Sequence, residues 1–353
     1  MKQFNPNFTD FSLYINNPRK PDFNNLLKVL KRKVPNRPTL FEFFLNDELN
    51  LKIVNLKEYS LNDEIYKYGI MIKAFKNAGY DYTTIHGSNF SFETHKHQQK
   101  TLSLNEGVIF YDREGFQNYN WPDPENYDYS RLDRLSDLLP DGMKLIVYGP
   151  GGVLENVISL VGYDNLCYLL ADDRELVQEI FDAVGSRLIK YYEICAPFKT
   201  VGALISNDDW GFNTQTMLSV EDMRQYVIPW HKKIVGVIHA SGKPAILHSC
   251  GNLDPIMGDI IDVINYDAKH SYEDNITPVE QAYEKWGNRI AVFGGIDVDF
   301  ICRSTPEEVY NRSAAMLERS AEKGGYALGS GNSIPYYVPH ENYLAMIAAV
   351  NWS

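Results

Sequence analysis

Short apolar runs alternate with longer amphipathic segments from about residue 140 to the end of the chain. Each run is seven residues long and is bounded by glycine, proline or polar residues, which is typical of a buried parallel strand. The runs are 143–149, 201–207, 244–250, 262–268, 290–296 and 326–332. Two similar runs, 39–44 and 81–87, lie upstream and flank a helix predicted at about 62–78. Eight strands in this alternation predict a closed (β/α)8 TIM barrel, with an open doubly wound sheet as the alternative.

The segments between the later strands begin with helix start signals. Thr305-Pro306-Glu307-Glu308 and Thr277-Pro278-Val279-Glu280 each offer a threonine cap, a proline at the first helical position and a glutamate at the third. Ser219 opens the segment before Pro229 in a similar way. These signals favour helices between strands, as the barrel requires.

The chain is predicted to form a single domain, 1–353. Two of its segments do not follow the alternation of strands and helices. Residues 1–38 contain five prolines around a short basic helix, and we expect this N-terminal extension to cap the outside of the barrel. Residues 88–128 are polar and aromatic. They predict a hairpin or long loop inserted over the barrel mouth, where such loops shape binding sites.

The run 244–250 ends in a pair of metal-ligand residue types. His248 and Cys250 are two positions apart, so in a strand both side chains would face the same site. Zinc favours nitrogen and sulfur ligands, but a complete site needs a third ligand. The structural alternative is a core cysteine beside a hydrogen-bonded histidine.

Other polar residues collect at the predicted carboxyl ends of strands, where barrel active sites lie. They are Glu42, His86, Tyr148, Asn207, Asp208, Asp209, Trp210, Lys269, His270, Glu273, Asp297 and Asn332. Glu273 is the first candidate for a third metal ligand, and His270 is the alternative. The two aspartates can orient a substrate or cap the next helix. Asp297 favours a turn role, and His95 and His97 favour a solvated loop over a metal site.

Composition narrows the classes of partner. The chain has 34 basic and 46 acidic residues, for a formal net charge of −12, which disfavours nucleic acid and anionic membranes as partners. No apolar run reaches 18 residues, and the first residues lack the apolar region of a signal peptide. Four scattered cysteines favour reduced thiols and a cytoplasmic location.

Several motifs occur in the order known from one superfamily. His248-Ser249-Cys250-Gly251 is followed by FGGID (293–297) and by GSGNSIP (329–335). Together with GPGGVLENV (149–157) and ISNDDWGF (205–212), they resemble the uroporphyrinogen decarboxylase superfamily over about 140–350. The resemblance implies a (β/α)8 barrel.

The resemblance separates three branches of that superfamily and its relatives. The true decarboxylases carry an arginine-rich motif that holds a polycarboxylate tetrapyrrole, whereas here Arg37-Pro38 is followed by apolar residues and Glu42. Corrinoid-dependent methyltransferases bind zinc through a His-x-Cys pair and a later cysteine; His248 and Cys250 match the pair, and Asn332 stands near the later position. Cobalamin-independent methionine synthase is similar in placing a glutamate ligand on the next strand, close to Glu273.

The resemblance therefore implies a zinc-dependent methyltransferase of the corrinoid type. It would move a methyl group between a corrinoid (methylcobalamin) on a partner protein, docked over 88–128, and a small thiol, pterin or methoxylated substrate. A homodimer is also expected. The expected catalytic residues are Asp208, Asp209 and Glu273, and the expected zinc ligands are His248, Cys250 and Glu273 or His270. The expected substrate-binding residues are Glu42, His86, Tyr148, Asn207, Trp210, Asn332 and Tyr336, with Tyr337 beside them. The alternatives are a metal-free decarboxylase-like lyase using Asp208 or Asp209 as acid, and a non-catalytic barrel that binds a corrinoid or small ligand.

Overall fold

Seven parallel strands form one curled sheet in chain order. The computed structural model describes residues 10–16, 19–57, 63–93 and 104–350, so His95 and His97 lie outside the described residues. The strands are β1 Tyr82–His86, β2 Lys144–Tyr148, β3 Val201–Asn207, β4 Ala245–His248, β5 Ala268–His270, β6 Ala291–Phe293 and β7 Tyr326–Ala327. Each pairs in parallel with the next. The prediction of a TIM-barrel fold is confirmed, because helices follow these buried strands as in a (β/α)8 barrel.

The eighth strand position is occupied by an irregular segment, residues 39–45. Leu40 and Leu45 each form a single parallel bridge, to Leu328 and Ile334 beyond β7. On the other side the segment meets β1 through side chains, since the Tyr82 hydroxyl donates to Glu42 O (2.7 Å). The prediction of a regular strand at 39–44 was therefore wrong. Side-chain hydrogen bonds replace part of the backbone ladder that a strand would need.

The helices surround this sheet. The α-helices are α1 Ser12–Asn16, α2 Phe23–Leu30, α3 Asp47–Ile53, α4 Glu64–Ala78, α5 Arg113–Asn118, α6 Arg131–Arg134, α7 Val153–Val161, α8 Tyr163–Asp172, α9 Arg174–Cys195, α10 Val220–Asp222, α11 Ile228–Ala240, α12 Val279–Trp286, α13 Val298–Arg303, α14 Pro306–Ser320 and α15 His340–Ala348. Short 3₁₀ turns cover Pro124–Asn126, Leu135–Leu138 and Asp254–Ile256, and π-helical turns cover Met223–Val227 and Asp259–Ile264.

The strand predicted at 262–268 was misplaced. Its first residues belong to the π-helical turn Asp259–Ile264, and the strand that follows is Ala268–His270. Ile260, Ile261 and Ile264 are the buried residues of that turn, a helical spacing that the sequence already carried. Asn265, at φ 70°, ends the turn in the left-handed region. As a result, His270 closes β5 and Glu273 lies in the loop beyond it.

Two of the three predicted helix starts are confirmed, and the third was wrong. Thr305 caps α14, with a capping box to Glu308 and Pro306 at the first turn, as predicted. Ser219 caps α10, because its side chain accepts from Asp222 N. By contrast, α12 starts after Pro278 with no side-chain cap, so the threonine cap expected at Thr277 was wrong.

The N-terminal extension covers the amino ends of the first strands. In α2, Phe23 N donates to Gly142 O (2.9 Å), just before β2. A Cβ added at Gly202, near the start of β3, would lie 2.5 Å from the Phe23 ring, so the two elements are in close contact. In the described part of the extension, α2 therefore packs at the amino ends of β2 and β3, and the carboxyl ends of the strands form the mouth.

The insertion after β1 packs mainly on helices. Its described parts, 88–93 and 104–128, contain α5 and the turn Pro124–Asn126 but no strand, so a hairpin is not formed there. Arg113 pairs with Glu179 on α9 (2.5 Å), and the Arg187 guanidinium lies 4.8 Å from the Trp121 ring centre. Of the described residues of the insertion, 88–91 line a cleft at the mouth. Across the described residues, no helix combines the length and apolarity needed to cross a membrane.

Candidate metal centre and flanking clefts

Three different ligand types converge at the barrel mouth. Among the described residues, Asp209, His248 and Cys250 form one group, and each offers a ligand atom within 4.8 Å of the others. Asp209 follows β3, His248 ends β4, and Cys250 lies two residues beyond it. The pairing of Asn207 with His248 sets the register that brings the two strand ends together. Adjacent parallel strands thus supply all three side chains.

The backbone here holds Asp209 beside Cys250. Cys250 N donates to Asp209 Oδ1 (2.8 Å), which fixes the aspartate side chain against the loop after β4. A Cβ at Gly251, whose φ is 86°, would lie 2.0 Å from Gly211 O. Only glycine allows the two loops to approach this closely. The glycine of the motif around Cys250 therefore has a geometric role in assembling the group.

The donor set suits a divalent transition metal. Carboxylate oxygen, imidazole nitrogen and thiolate sulfur are the three protein donors that zinc uses, and three ligands leave a fourth tetrahedral position open. Burial lowers the pKa of His248 to about 4, so its imidazole is neutral, as a ligand must be. Burial, with Asp209 nearby, raises the pKa of the Cys250 thiol. A bound cation would offset that shift because it stabilises the thiolate.

His270 supports this group without facing it as a free ligand. Its Nδ1 lies 2.8 Å from His248 Nδ1, and its Nε2 lies 3.2 Å from Ser330 O. Both ring nitrogens are therefore engaged, and burial holds the pKa of His270 well below its usual range. The geometry favours a supporting position for His270 over the ligand position considered from the sequence.

Asn332 and Ser271 contact the thiol of Cys250. Asn332 Nδ2 lies 3.4 Å and Ser271 Oγ 3.3 Å from Cys250 Sγ. Ser271 has a φ of 83°, which is uncommon outside glycine, and its carbonyl accepts from Lys269 Nζ (2.5 Å). Asn332 thus occupies the neighbourhood in which the sequence resemblance placed a further cysteine ligand.

Lys269 is a buried cation beside the group, because its Nζ donates to Ser249 O (3.3 Å), between His248 and Cys250 in the chain. Its Nζ lies 4.2 Å from the Tyr272 ring centre, and burial lowers the pKa of this lysine to about 8. Cys250, Asp209 and Glu273 oppose that shift, so these groups share one electrostatic environment. Glu273 itself lies in the wall of the adjoining cleft and outside the three-residue group.

Asp208 points away from the group, although it is the neighbour of Asp209. Its Oδ2 lies 2.8 Å from His231 Nε2 and accepts from Leu154 N, while its Oδ1 accepts from Glu155 N (2.9 Å). Both oxygens are thus occupied at the start of α7, and the residue is fully buried. This arrangement favours the capping role over the catalytic role expected for Asp208.

An aromatic cleft opens on one side of the mouth. Its volume is about 520 Å³. It is lined by Phe43, Phe44, Tyr68, His86, 88–91, Arg131, Tyr148, 149–151 and Asn207. The His86 ring centre lies 3.9 Å from that of Tyr148, and burial lowers the pKa of His86 to about 4. Three predicted substrate-binding residues, His86, Tyr148 and Asn207, therefore share one cleft.

An acidic cleft of about 780 Å³ opens on the other side. The lining contributed by loops after β5, β6 and β7 includes Glu273, Asp297, Asn332 and Tyr337. Asp297 caps α13 through Phe300 N (2.9 Å) and accepts from Asp274 N (2.8 Å), which agrees with the turn role expected for it. Phe44 lines both clefts and so lies between them.

Three expected substrate-binding residues lie elsewhere. Trp210 is fully buried, with its ring 4.7 Å from His231, and Tyr336 is 80% exposed; neither lines either cleft. Glu42 lies inside the barrel, where its carboxyl accepts from Ser330 N (2.6 Å) and Ser330 Oγ (2.8 Å). Burial raises the pKa of Glu42 to about 8.

Glu155, Ser330 and His231 were not singled out from the sequence, although they contribute to the contacts around the barrel mouth. Glu155 lies near Asp208 and Asp209, and burial followed by those two charges raises its pKa to about 8. Its carboxylate accepts from Gly152 N (3.1 Å), an arrangement visible in the sequence as a glycine pair followed by glutamate. Ser330 and His231 carried no comparable signal, since their roles depend on contacts between distant strands.

Comparison with known proteins places the chain in a family. The sequence profile described as "Uroporphyrinogen decarboxylase (URO-D)" matches residues 104–352. The methylated-thiol–coenzyme M methyltransferase of Methanosarcina mazei is 25% identical over 195 residues, which cover 54% of this chain and 48% of that relative. The match thus spans about half the relative's length. A solved structure of a methyltransferase from Methanosarcina mazei shares the fold, with a TM-score of 0.68 over 94% of this chain and 99% of that one, at 15% identity. Because the profile match spans well over half of its length, this chain belongs to the uroporphyrinogen decarboxylase (URO-D) family.

Proposed function

We propose that this protein is a zinc-dependent methyltransferase that moves a methyl group between a corrinoid carried by a partner protein and a small substrate. The observation that carries the proposal is the group formed by Asp209, His248 and Cys250 at the barrel mouth. The methyltransferase relative is consistent with it. An open oxygen, nitrogen and sulfur site at this position is the arrangement expected of a catalytic metal rather than a structural one.

We assign the third ligand to Asp209. Glu273 was the sequence-based choice, but Asp209 is the carboxylate grouped with His248 and Cys250 among the described residues. Glu273 faces the acidic cleft, where it can contact a substrate or approach the metal from the loop. Asp209 and Glu273 therefore remain the carboxylates proposed to act at the site, whereas Asp208 is proposed to hold α7 in place.

The metal, the residues around it and the aromatic cleft have separate roles in the proposed reaction. When bound, zinc supplies a Lewis acid that lowers the pKa of a thiol, alcohol or water, or polarises a methylated substrate. Asn332 holds its amide against Cys250 Sγ, and buried Lys269 supplies a positive charge in the electrostatic environment of Asp209 and Cys250. The aromatic cleft suits the apolar body of a pterin or methoxylated ring, through stacking on Tyr148 and Phe43.

The corrinoid protein is proposed to dock at the mouth. Exposed aromatic side chains occur there, since Tyr337 is 65% and Phe44 41% exposed and both line the acidic cleft. Aromatic residues are enriched at protein interfaces because they bury a large area at low entropic cost. We also propose that 1–353 forms one domain, that it pairs as a homodimer, and that it resides in the cytoplasm, the last because all four cysteines are free.

The first experiment measures metal content. The purified protein is offered zinc, dialysed and analysed by ICP mass spectrometry, beside Cys250→Ala and His248→Ala. We expect about one zinc per chain in the wild type and a loss of most of it in both variants. Cys302→Ala is the matched control, because Cys302 is a partly buried thiol on α13 outside the group. A wild type that binds no zinc would refute the zinc-dependent mechanism.

The second experiment measures methyl transfer. The zinc-loaded protein is incubated with methylcobalamin and a panel of thiols, which accept the methyl group, and loss of the cobalt–carbon bond is followed by visible absorbance. A second panel combines Co(I) cobalamin with methoxylated aromatics, which donate a methyl group, and formation of that bond is followed in the same way. We expect turnover with the wild type and with Cys302→Ala, and none with Cys250→Ala. Binding of cobalamin without any turnover across these panels would favour the non-catalytic binding barrel instead.

A further inference from the structure

We propose that His270 is a positioning residue that fixes the tautomer of His248, so that Nε2 of His248 is the nitrogen presented to the metal. The proposal rests on the metal centre proposed above and adds the contacts that orient His248 before a metal binds. The observation behind it is a continuous row of contacts from Glu42 through Ser330 and His270 to His248.

The positions of the hydrogens follow from the chemistry of each contact. Ser330 O is a carbonyl and can only accept, so the hydrogen of that contact must reside on His270 Nε2. A neutral His270 then has a bare Nδ1. The 2.8 Å contact between the two Nδ1 atoms requires one hydrogen, and that hydrogen must come from His248. His248 is left with a bare Nε2, which is the form that binds a metal.

A neutral His270 is required by its surroundings. The ring is fully buried, and it is packed 4.8 Å from the Phe41 ring centre. Its two nitrogens contact a carbonyl oxygen and another imidazole, and no carboxylate contacts them among the described residues. Burying an unpaired imidazolium at such a position is costly, so the neutral ring is favoured.

The far end of the row is anchored by Glu42. Its two oxygens accept from Ser330 N and Ser330 Oγ, which fixes the Ser330 peptide and hence the direction of its carbonyl. Gly294 makes room for this approach, because a Cβ there would lie 2.2 Å from Ser330 O and 2.9 Å from His270 Nε2. Its φ of 66° also favours glycine. The anchor therefore depends on β6, β7 and the irregular segment 39–45.

The ring of His248 is also held on its faces. Phe43 lies 4.6 Å from it between ring centres, and β4 and β5 are in register at His248 and His270. The orientation and tautomer of His248 are thereby set before any metal arrives. Such pre-organisation reduces the ordering cost of metal binding, and loss of a partner of this kind typically costs about 10-fold to 100-fold in metal affinity.

The direct test observes the tautomers in the metal-free wild type. Long-range ¹H–¹⁵N correlation spectra of the histidine-labelled protein distinguish Nδ1–H from Nε2–H imidazole. We expect His248 as the Nδ1–H tautomer and His270 as the Nε2–H tautomer near neutral pH, with assignments taken from single substitutions. A His248 ring protonated at Nε2, or a His270 ring protonated at both nitrogens, would overturn the proposal.

The second test compares two substitutions of His270. Glutamine keeps a donor for Ser330 O and an acceptor for His248, whereas leucine keeps neither. We expect His270→Leu to weaken zinc binding about 10-fold or more, and His270→Gln to stay within about 3-fold of the wild type. The ligand-field spectrum of the Co²⁺-substituted protein should change in His270→Leu and be restored in His270→Gln.

A packing control separates positioning from stability. Phe293→Leu removes a large buried ring from the neighbouring strand without removing a hydrogen bond. It should lower the melting temperature but leave zinc affinity unchanged. Equal zinc affinity in His270→Leu and the wild type would refute the positioning role. The tautomer experiment needs neither metal nor turnover, so its failure is distinguishable from failure of the methyltransferase proposal.

Discussion

Asp208 and Asp209 are neighbours in the chain and belong to two contrasting regions of the barrel wall. Asp208 faces the helices: it meets His231 and accepts from two backbone amides at the start of α7. Asp209 faces the mouth, where its side chain is grouped with His248 and Cys250. One position along the strand exit reverses the direction of the side chain, as expected for alternating side chains.

The two regions differ in how completely their polar atoms are satisfied. Around Asp208, His231 Nδ1 also contacts the Tyr266 hydroxyl (2.8 Å), so the buried polar groups close on one another. Around Asp209, the backbone bond that the described residues make to the carboxylate is the one from Cys250 N to Oδ1. The first region resembles a structural network and the second a site with donor atoms held ready for a ligand. Burial follows the same division, since Asp208 is fully buried and Asp209 only partly buried.

The largest expected effect comes from breaking the Asp208 region. Asp208→Ala leaves His231 and two buried amides without their acceptor, and each orphaned donor costs about 1–3 kcal/mol. We expect the free energy of unfolding to fall by about 3 kcal/mol or more, measured by denaturant titration. Zinc per folded chain should remain close to that of the wild type. If zinc is lost while stability is kept, the roles assigned to the two aspartates are reversed.

Substitution of Asp209 should lower zinc affinity and leave stability almost unchanged, the opposite of what is expected for Asp208. Asp209→Asn removes a ligand charge but keeps an oxygen near Cys250 N, so stability should change little. Zinc affinity should fall about 10-fold or more, measured by competition with a chromophoric chelator. Glu273→Gln is the matched carboxylate control in the adjoining cleft, with an expected change below about 3-fold. A larger loss in Glu273→Gln than in Asp209→Asn would return the third ligand to Glu273.

The contrast also shows what the sequence could and could not predict. Most strand exits, the His248 and Cys250 pair and the Thr305 cap depend on local pattern, and they lie close to where the pattern placed them. The exceptions are 39–44, which is not a regular strand, and 326–332, whose strand ends at Ala327. Which of Asp208 and Asp209 faces the mouth depends on where β3 ends, which was uncertain by a residue or two.

Contacts between distant strands lay beyond local pattern. The row from Glu42 to His248 joins residues 288 positions apart at its Glu42–Ser330 step and 60 apart at its His270–Ser330 step. These residues come together because the sheet curls and the segment 39–45 lies beside β7. The strand expected at 262–268 failed for a different reason, because an apolar run of that length suits a strand and a helical turn equally well.

The buried carboxyl of Glu42 should make stability depend on pH. Burial raises its pKa from the usual value of 4.5 to about 8 in the folded protein. A raised carboxyl pKa means that the unfolded chain loses its proton first, so this contribution is full below about pH 4.5 and is lost as pH rises towards 8. Glu42→Gln, which cannot ionise, should therefore lose less stability between pH 5 and pH 8.

Between pH 5 and pH 8, the free energy of unfolding of the wild type should fall by at least about 1 kcal/mol more than that of Glu42→Gln. It is measured by chemical denaturation at several pH values. Glu280→Gln is the comparison variant, because the pKa of Glu280 is lowered by its hydrogen bonds with Arg312. Parallel curves for the wild type and Glu42→Gln would mean that Glu42 is already ionised in the folded protein.

The smallest expected effect adds a ligand to the Asp209 region. Asn332 Nδ2 lies 3.4 Å from Cys250 Sγ, so a thiol at position 332 would lie beside the existing donors. Asn332→Cys should therefore tighten zinc binding, by roughly 3-fold to 10-fold, because a thiolate replaces a neutral amide near the cation. Chelator competition measures the change, and Ser333→Cys is the neighbouring control. An unchanged affinity in Asn332→Cys would mean that the fourth position of the metal opens away from β7, towards the aromatic cleft.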